Sequence, residues 1–348
     1  MSNRRVQSCV STLMGGLREH RIGHRLAMKF GLTLSSEEHD PARLVDIAQL
    51  AEESGFDFVS ISDHFHPWLD EQGHSPFVWT MLGAIAERTE HIGVAVGVTC
   101  PIMRIHPAIL AQATATASRL LGERFTWGVG TGEALNEHIL GDKWPTAPQR
   151  IDMLDEAIEV IRELWTGDDV SFEGEYFTVE HARIYDAPTV DIPVVVSAFG
   201  PRAAELAARI GDGLWTTGGA SDTIDDWTTA GGTGPIYSQI NLCWSADREA
   251  GLDTVERIWR TAGVPGQLSQ DLPTPAHFDM AASIVRRDDL ADSVLVGDDA
   301  DPLVDQARSA MQGGVDHLYF HQIGDDQEAF CEAWRATLAE RLAATVED

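Results

Sequence analysis

FDFVSISDHFHPW, residues 56–68, passes from a mostly apolar run straight into a polar cluster. Phe58, Val59 and Ile61 make a short run with apolar residues on both faces, the pattern of a parallel strand covered on each side. The polar residues begin where the strand ends, at Ser62-Asp63-His64. The same grammar repeats along the chain. Strand-like runs stand at 29–34, 57–62, 91–98, 125–131, 192–198, 212–217, 236–244 and 316–321. Helical stretches at Pro41–Ser54, Pro76–Arg88, His106–Leu120, Arg150–Leu164 and Pro201–Ile210 separate most of them. Eight such strands alternating with helices predict an α/β fold, a closed (β/α)8 TIM barrel, with a doubly wound open sheet as the runner-up. Two segments break the alternation. Val170–Tyr185 reads as a hairpin inserted before the fifth strand. Ala262–Val296, rich in Pro, Gly and Asp, reads as an excursion over one barrel face before the last strand, with a short helical piece near Phe278–Arg287.

The charge balance is extreme: 55 acidic against 25 basic residues give a net −30 over 348 residues, and Lys29 and Lys143 are the only lysines. The acids are spread among periodic apolar positions, so they read as the surface of a folded chain rather than as a disordered tail. Concentrated salt screens such self-repulsion, and a halophilic cytoplasm is the expected setting. A basic footprint for nucleic acid is missing. No apolar stretch approaches the roughly 18 residues of a membrane span. Four cysteines, Cys9, Cys100, Cys243 and Cys331, lack C-x-x-C spacing and fit a reducing interior rather than a zinc cluster or disulfide framework. Residues 1–27 differ from the rest in holding five arginines and a single acid, Glu19. They are expected to be a disordered leader or a mis-assigned start, with 28–348 forming one domain.

A barrel of this kind builds its active site from the C-terminal ends of its strands. Those ends carry Ser35 to His39, Asp63 to Trp68, Gly97 to Pro101, Gly130 to Glu137, Ser197 to Arg202 and Thr216 to Gly219. His64-x-His66 invites a metal reading, which needs ligands from other strand ends. The fifth and sixth ends supply no His, Asp or Glu before their helices, and the fourth offers Glu133 without a lysine. Pro67 also turns the chain away. The acid–base reading fares better. An imidazole changes charge near neutrality, so His64 suits acceptance of a hydroxyl proton. Glu133, after Gly130-Thr131-Gly132, offers a carboxyl on the opposite side of a bound molecule. His66 and His74 read as structural. Phe199-Gly200-Pro201-Arg202 is a weak anion-binding turn. Gly128-Val129-Gly130-Thr131-Gly132 is too compressed for a dinucleotide fingerprint, which disfavours a nicotinamide.

Ser62-Asp63-His64-Phe65-His66-Pro67-Trp68, Gly73-His74-Ser75-Pro76-Phe77 and the run Gly128 to Glu137 together resemble the signature of coenzyme F420-dependent glucose-6-phosphate dehydrogenases. These enzymes belong to the bacterial-luciferase-like barrel superfamily, and the resemblance extends from about Met28 to the C-terminus. It implies a deazaflavin at the barrel mouth as hydride acceptor. Asp63, Gly97, Val98, Thr131, Gly132, Asn136, Phe199, Gly200, Arg202 and Ala203 match cofactor-holding positions, with a non-prolyl cis peptide at the Gly97–Val98 bulge. Glu37, His64, Trp68 and Glu133 match the set around the reacting carbon. By that likeness His64, held by Glu37, takes the alcohol proton, Trp68 helps stabilise the developing intermediate, and Glu133 protonates the reduced ring. In the substrate site Thr216 keeps a contact. The positions of the family's phosphate-gripping lysines and arginine fall at Gly219, Met280 and Ser293, with Arg286 and Arg287 nearby. The expected substrate is therefore an unphosphorylated alcohol, polyol or sugar. Sugar-phosphate dehydrogenation, an FMN-dependent monooxygenase on the same barrel, and cofactor binding without turnover are the alternatives. A homodimer is expected from the likeness alone.

Overall fold

The computed structural model describes residues 28–218, 220–264 and 266–347. The expectation for residues 1–27 lies outside them, as does Gly219. Its strands are β1 (Lys29–Leu34), β2 (Phe58–Ile61), β3 (Gly93–Thr99), β4 (Phe125–Val129), β5 (Val170–Glu173), β6 (Thr178–Ala182), β7 (Val194–Ser197), β8 (Gly213–Thr217), β9 (Ile236–Cys243), β10 (Leu295–Val296) and β11 (His317–Gln322). Eight of them pair in parallel in the order β1-β2-β3-β4-β7-β8-β9-β11, and β11 returns to β1. The result is a closed (β/α)8 barrel, each strand arising from one of the eight runs in the sequence. The antiparallel pair β5–β6 is the inserted hairpin. β10 adds to the end of β9 beside Leu242 and Cys243.

Local chemistry sets the helix boundaries. Asp40 accepts hydrogen bonds from Ala42 and Arg43 N–H at 2.8 and 3.1 Å, Pro41 opens the helix Pro41–Ser54, and Gly55 closes it at φ 82°. The fourth of the expected helices begins at Ala147 rather than Arg150. Gln149 there reaches back to the Thr146 N–H at 3.1 Å and starts the turn earlier. The excursion holds two helices near the expected single piece, Pro275–Ala282 and Arg287–Ser293. Asp289 accepts from the Arg286 N–H at 3.2 Å and nucleates the second after a break at 283–286.

Inside the barrel, Phe58, Ala95, Val195, Trp215, Tyr237 and Tyr319 form a buried plug. Trp215 stacks on Tyr237 at 4.6 Å and donates its indole N–H to the Tyr319 hydroxyl at 2.7 Å. The interior is thus filled, and chemistry is confined to the mouth. The excursion covers part of that mouth: buried Phe278 packs with Leu69 and Leu135, and Trp68 and Leu272 lean on them. Among the described residues no helix is long and apolar enough to cross a membrane.

Candidate active site

The loop after β1, Ser35 to His39, is entirely buried. Within it Glu37 accepts the Ser35 and Ser62 hydroxyls on Oε2 at 3.0 and 2.9 Å, which leaves Oε1 for His64 Nδ1 at 3.2 Å. The same Nδ1 lies 3.3 Å from the His66 carbonyl oxygen. Both neighbours of Nδ1 are acceptors, so the neutral ring carries its proton there and presents a lone pair at Nε2. Nε2 faces Glu133 Oε2 at 3.7 Å across the mouth. The Trp68 ring stands 5.1 Å from the imidazole, edge-on, and is backed by Phe278 at 5.0 Å. The structure therefore brings Glu37, His64, Trp68 and Glu133 together. Burial pushes the Glu133 carboxyl up to about 7; His64 pulls it down, while Glu37 and Glu137 add to the rise.

The loop bearing His64 is held from behind. The Asn136 amide oxygen accepts from the Phe65 and His66 N–H groups at 2.9 and 3.2 Å, and its amide nitrogen donates to Glu133 Oε2 at 3.3 Å. His66 Nδ1 meets the Leu135 carbonyl at 2.9 Å. Among the described residues no group of three or more His, Cys, Asp or Glu side chains has the geometry to hold a metal ion.

Among the residues matched to a cofactor, Gly97 and Gly132 stand with Gly128 and Gly130 at the ends of β3 and β4 and form a glycine-rich lip. The Gly97–Val98 peptide is cis, with a register shift between Val96 and Thr99. Gly132 has φ +75°, and a Cβ there would strike the Cys100 sulfur, so no other residue fits this turn. A Cβ on Gly128 would meet the Val96 carbonyl oxygen. Two buried polar atoms at the strand ends next to these residues lack a partner, Asp63 Oδ2 after β2 and Thr99 Oγ1 at the end of β3. An unpaired buried acceptor is costly, and a flat ring with N–H donors satisfies it; the lip fits such a group. Gly200 gives the helix Pro201–Ile210 no side-chain cap, Ala203 is half-buried beside it, and Phe199 is exposed. The Arg202 guanidinium turns to Asp152 at 3.8 Å on the outer helical layer.

The substrate-side residues are less gathered. Thr216 is buried at the end of β8, with its hydroxyl donating to the Thr217 carbonyl at 3.2 Å. Met280 is 72% exposed. Ser293 is exposed and bonds its own helix at the Asp289 carbonyl, 2.8 Å away. Arg287 is held outside the barrel by Glu249, Asp253 and Glu256 at 3.1, 2.8 and 2.6 Å, and Arg286 faces Asp288 and Asp289. Arg260 bridges Glu71 and Asp279 at 3.1 and 2.6 Å.

Two buried charge clusters escape sequence reasoning. Arg104 and Glu137 join Asp63 behind the His64 loop; the lone arginine in Cys100-Pro101-Ile102-Met103-Arg104 was the available signal. Glu38 accepts from His321 Nε2 at 2.7 Å and from the Gly324 N–H at 2.8 Å. Burial alone would raise Glu38, yet these partners outweigh it and hold its carboxyl below the ordinary range.

A barrel with this mouth defines a class, the luciferase-like oxidoreductases. The chain belongs to the luciferase-like monooxygenase family, whose pattern matches residues 21–317. It is 37% identical over 332 residues to the F420-dependent glucose-6-phosphate dehydrogenase of Rhodococcus erythropolis, covering 91% of this chain and 98% of that one. The protein of the same name from Microbacterium testaceum is 35% identical at the same coverage. Among solved structures, an F420-dependent secondary alcohol dehydrogenase in complex with an F420-acetone adduct is 29% identical with a TM-score of 0.84, covering 91% and 99%. The F420-dependent tetrahydromethanopterin reductase of Methanopyrus kandleri, 20% identical with a TM-score of 0.73 over 91% of this chain and all of that one, shares the fold.

Proposed function

We propose that this protein is a coenzyme F420-dependent dehydrogenase that moves a hydride between a CH–OH carbon and the deazaflavin, on an unphosphorylated alcohol, polyol or sugar. The observation that carries the reading is the Glu37–His64–Glu133 array, with the imidazole held at Nδ1 by Glu37 and its Nε2 turned toward Glu133. The deazaflavin supplies the hydride chemistry when bound. Asp63, Thr131, Gly132 and the Gly97–Val98 bulge would hold it at the lip, with Gly200 and Ala203 at the far side. His64 Nε2 takes the hydroxyl proton, and Glu37 Oε1 stabilises the imidazolium that results. Trp68 walls the reacting carbon from water. Glu133 exchanges a proton at its carboxyl on the opposite side.

The substrate assignment rests on charge. A phosphate dianion needs cations where water is partly excluded. Among the described residues Arg260, Arg286 and Arg287 are each already paired with carboxylates, and Met280 and Ser293 bring no charge. Glucose 6-phosphate is the second reading, favoured by the names of the relatives. Assays with F420 at high salt should give an unphosphorylated sugar or short secondary alcohol a kcat/KM at least about tenfold above that of glucose 6-phosphate, or ~1.4 kcal/mol. A preference for the phosphorylated sugar would reverse the assignment.

The salt-rich cytoplasm and the homodimer belong to this proposal. A groove between the helices Val78–Arg88 and Pro107–Leu121 leaves Phe77, Ile109 and Leu120 53%, 57% and 51% exposed. Contiguous exposed apolar surface of this kind favours a second copy as its cover. Sedimentation should show a dimer that Ile109→Asp converts to monomer; a monomeric wild type, or a dimer untouched by the change, would refute this face.

A further inference from the structure

Asp63, Arg104 and Glu137 have side chains only 0%, 6% and 1% exposed. Arg104 Nη2 reaches Asp63 Oδ1 at 2.7 Å and the Asp63 carbonyl oxygen at 3.1 Å. Its Nε faces Glu137 Oε1 at 3.5 Å, and its backbone N–H donates to Glu137 Oε2 at 2.8 Å. One guanidinium thus serves two buried carboxylates, and Asp63 Oδ2 is left without a partner. Burying charges in this way is expensive unless every acceptor is satisfied.

The arrangement also frames His64. Arg104 fixes the loop at Asp63, and Asn136 fixes it at Phe65 and His66. One short helix, Ala134–Glu137, supplies both Asn136 and the Glu137 that clamps Arg104, and it begins directly after Glu133.

We propose that Arg104, clamped by Glu137, is a positioning residue that couples cofactor binding to the base. It holds Asp63 by one carboxylate oxygen and the carbonyl, so that Oδ2 stays available for a ring N–H of the deazaflavin. The same grip holds the adjoining His64, so that its lone pair is placed for the substrate hydroxyl beside that ring. The inference rests on Asp63 being a cofactor contact. An arginine suits the task because its planar fork reaches two oxygens of one residue and the next carboxylate at once; lysine is a point charge.

The test reads F420 affinity by fluorescence titration without substrate, for wild type, Asp63→Asn, Arg104→Gln, Arg104→Lys and the Asp63→Asn/Arg104→Gln double variant. Each single glutamine or asparagine change should weaken binding about tenfold or more, equivalent to ~1.4 kcal/mol. The double variant should bind no more weakly than Asp63→Asn, because Arg104 acts through Asp63. Arg104→Lys should recover only part of the affinity. If Arg104→Gln fails to fold, Arg104→Lys replaces it in the cycle with the same expected non-additivity. Wild-type affinity in the Arg104 variants, or losses that multiply in the double variant, would overturn the inference. An Asp63→Asn variant with unchanged affinity would instead remove the cofactor contact on which it rests, and a wild type that ignores F420 would remove the functional reading itself.

Discussion

Replacing His64 by alanine is expected to lower kcat about a thousandfold while F420 affinity stays within about threefold, the loss typical of a removed general base. The separation of effects follows from the contacts. His64 touches Glu37, Glu133 and Trp68, whereas the lip that would hold the ring is built from β3 and β4 and their following loops. The loop itself survives the change, because Asn136 and Arg104 grip its backbone at Asp63, Phe65 and His66 and not the imidazole. A turnover assay following the bleaching of oxidised F420, paired with a binding titration, decides it. An alanine variant that turns over normally would take the base role from His64.

Glu133→Gln should cost about a hundredfold in kcat and should change the pH dependence of both rate and stability. The Glu133 carboxyl sits at about 7 in the fold, against 4.5 for an ordinary glutamate. Between those values the folded chain binds more protons than the unfolded one, so stability falls as pH rises through this window. Glu137, also pushed up to about 7 by burial against the pull of Arg104, contributes in the same direction. Urea midpoints of the wild type should therefore fall between pH 5 and pH 8, and Glu133→Gln should flatten that fall without abolishing it. The kcat/KM limb that falls above neutrality as Glu133 loses its proton should disappear in the variant. Equal midpoint changes in both proteins, with the limb intact, would show that Glu133 does not titrate there.

The barrel was legible because short apolar runs alternate with helical stretches, and because the helices Pro41–Ser54 and Pro107–Leu121 carry their own caps. Asp40-Pro41 and Gly55 mark both ends of the first helix in the sequence itself. The proposed base and acid were legible for a related reason: a barrel sends its strand ends to one mouth, so His64 and Glu133 meet although they stand 69 positions apart, whereas Glu37 was reached through the family likeness. The buried clusters were not. Arg104 pairs with residues 41 positions before it and 33 after it, and no local spacing announces that a charged side chain turns inward. The likeness to a phosphate-binding family was equally silent about Arg287, which the carboxylates of the helix Arg248–Ile258 draw away from the mouth. The break at 283–286 depends on a cap made by Asp289 to a backbone group, which apolar periodicity does not record.

The most direct test mixes the purified protein at high salt with oxidised F420 and, separately, with FMN, then adds free sugars, short secondary alcohols and glucose 6-phosphate in turn. The account predicts tight F420 binding and loss of its visible absorbance with an unphosphorylated hydroxyl substrate, and neither response with FMN. No binding of F420, or FMN binding with oxygen consumption, would contradict it.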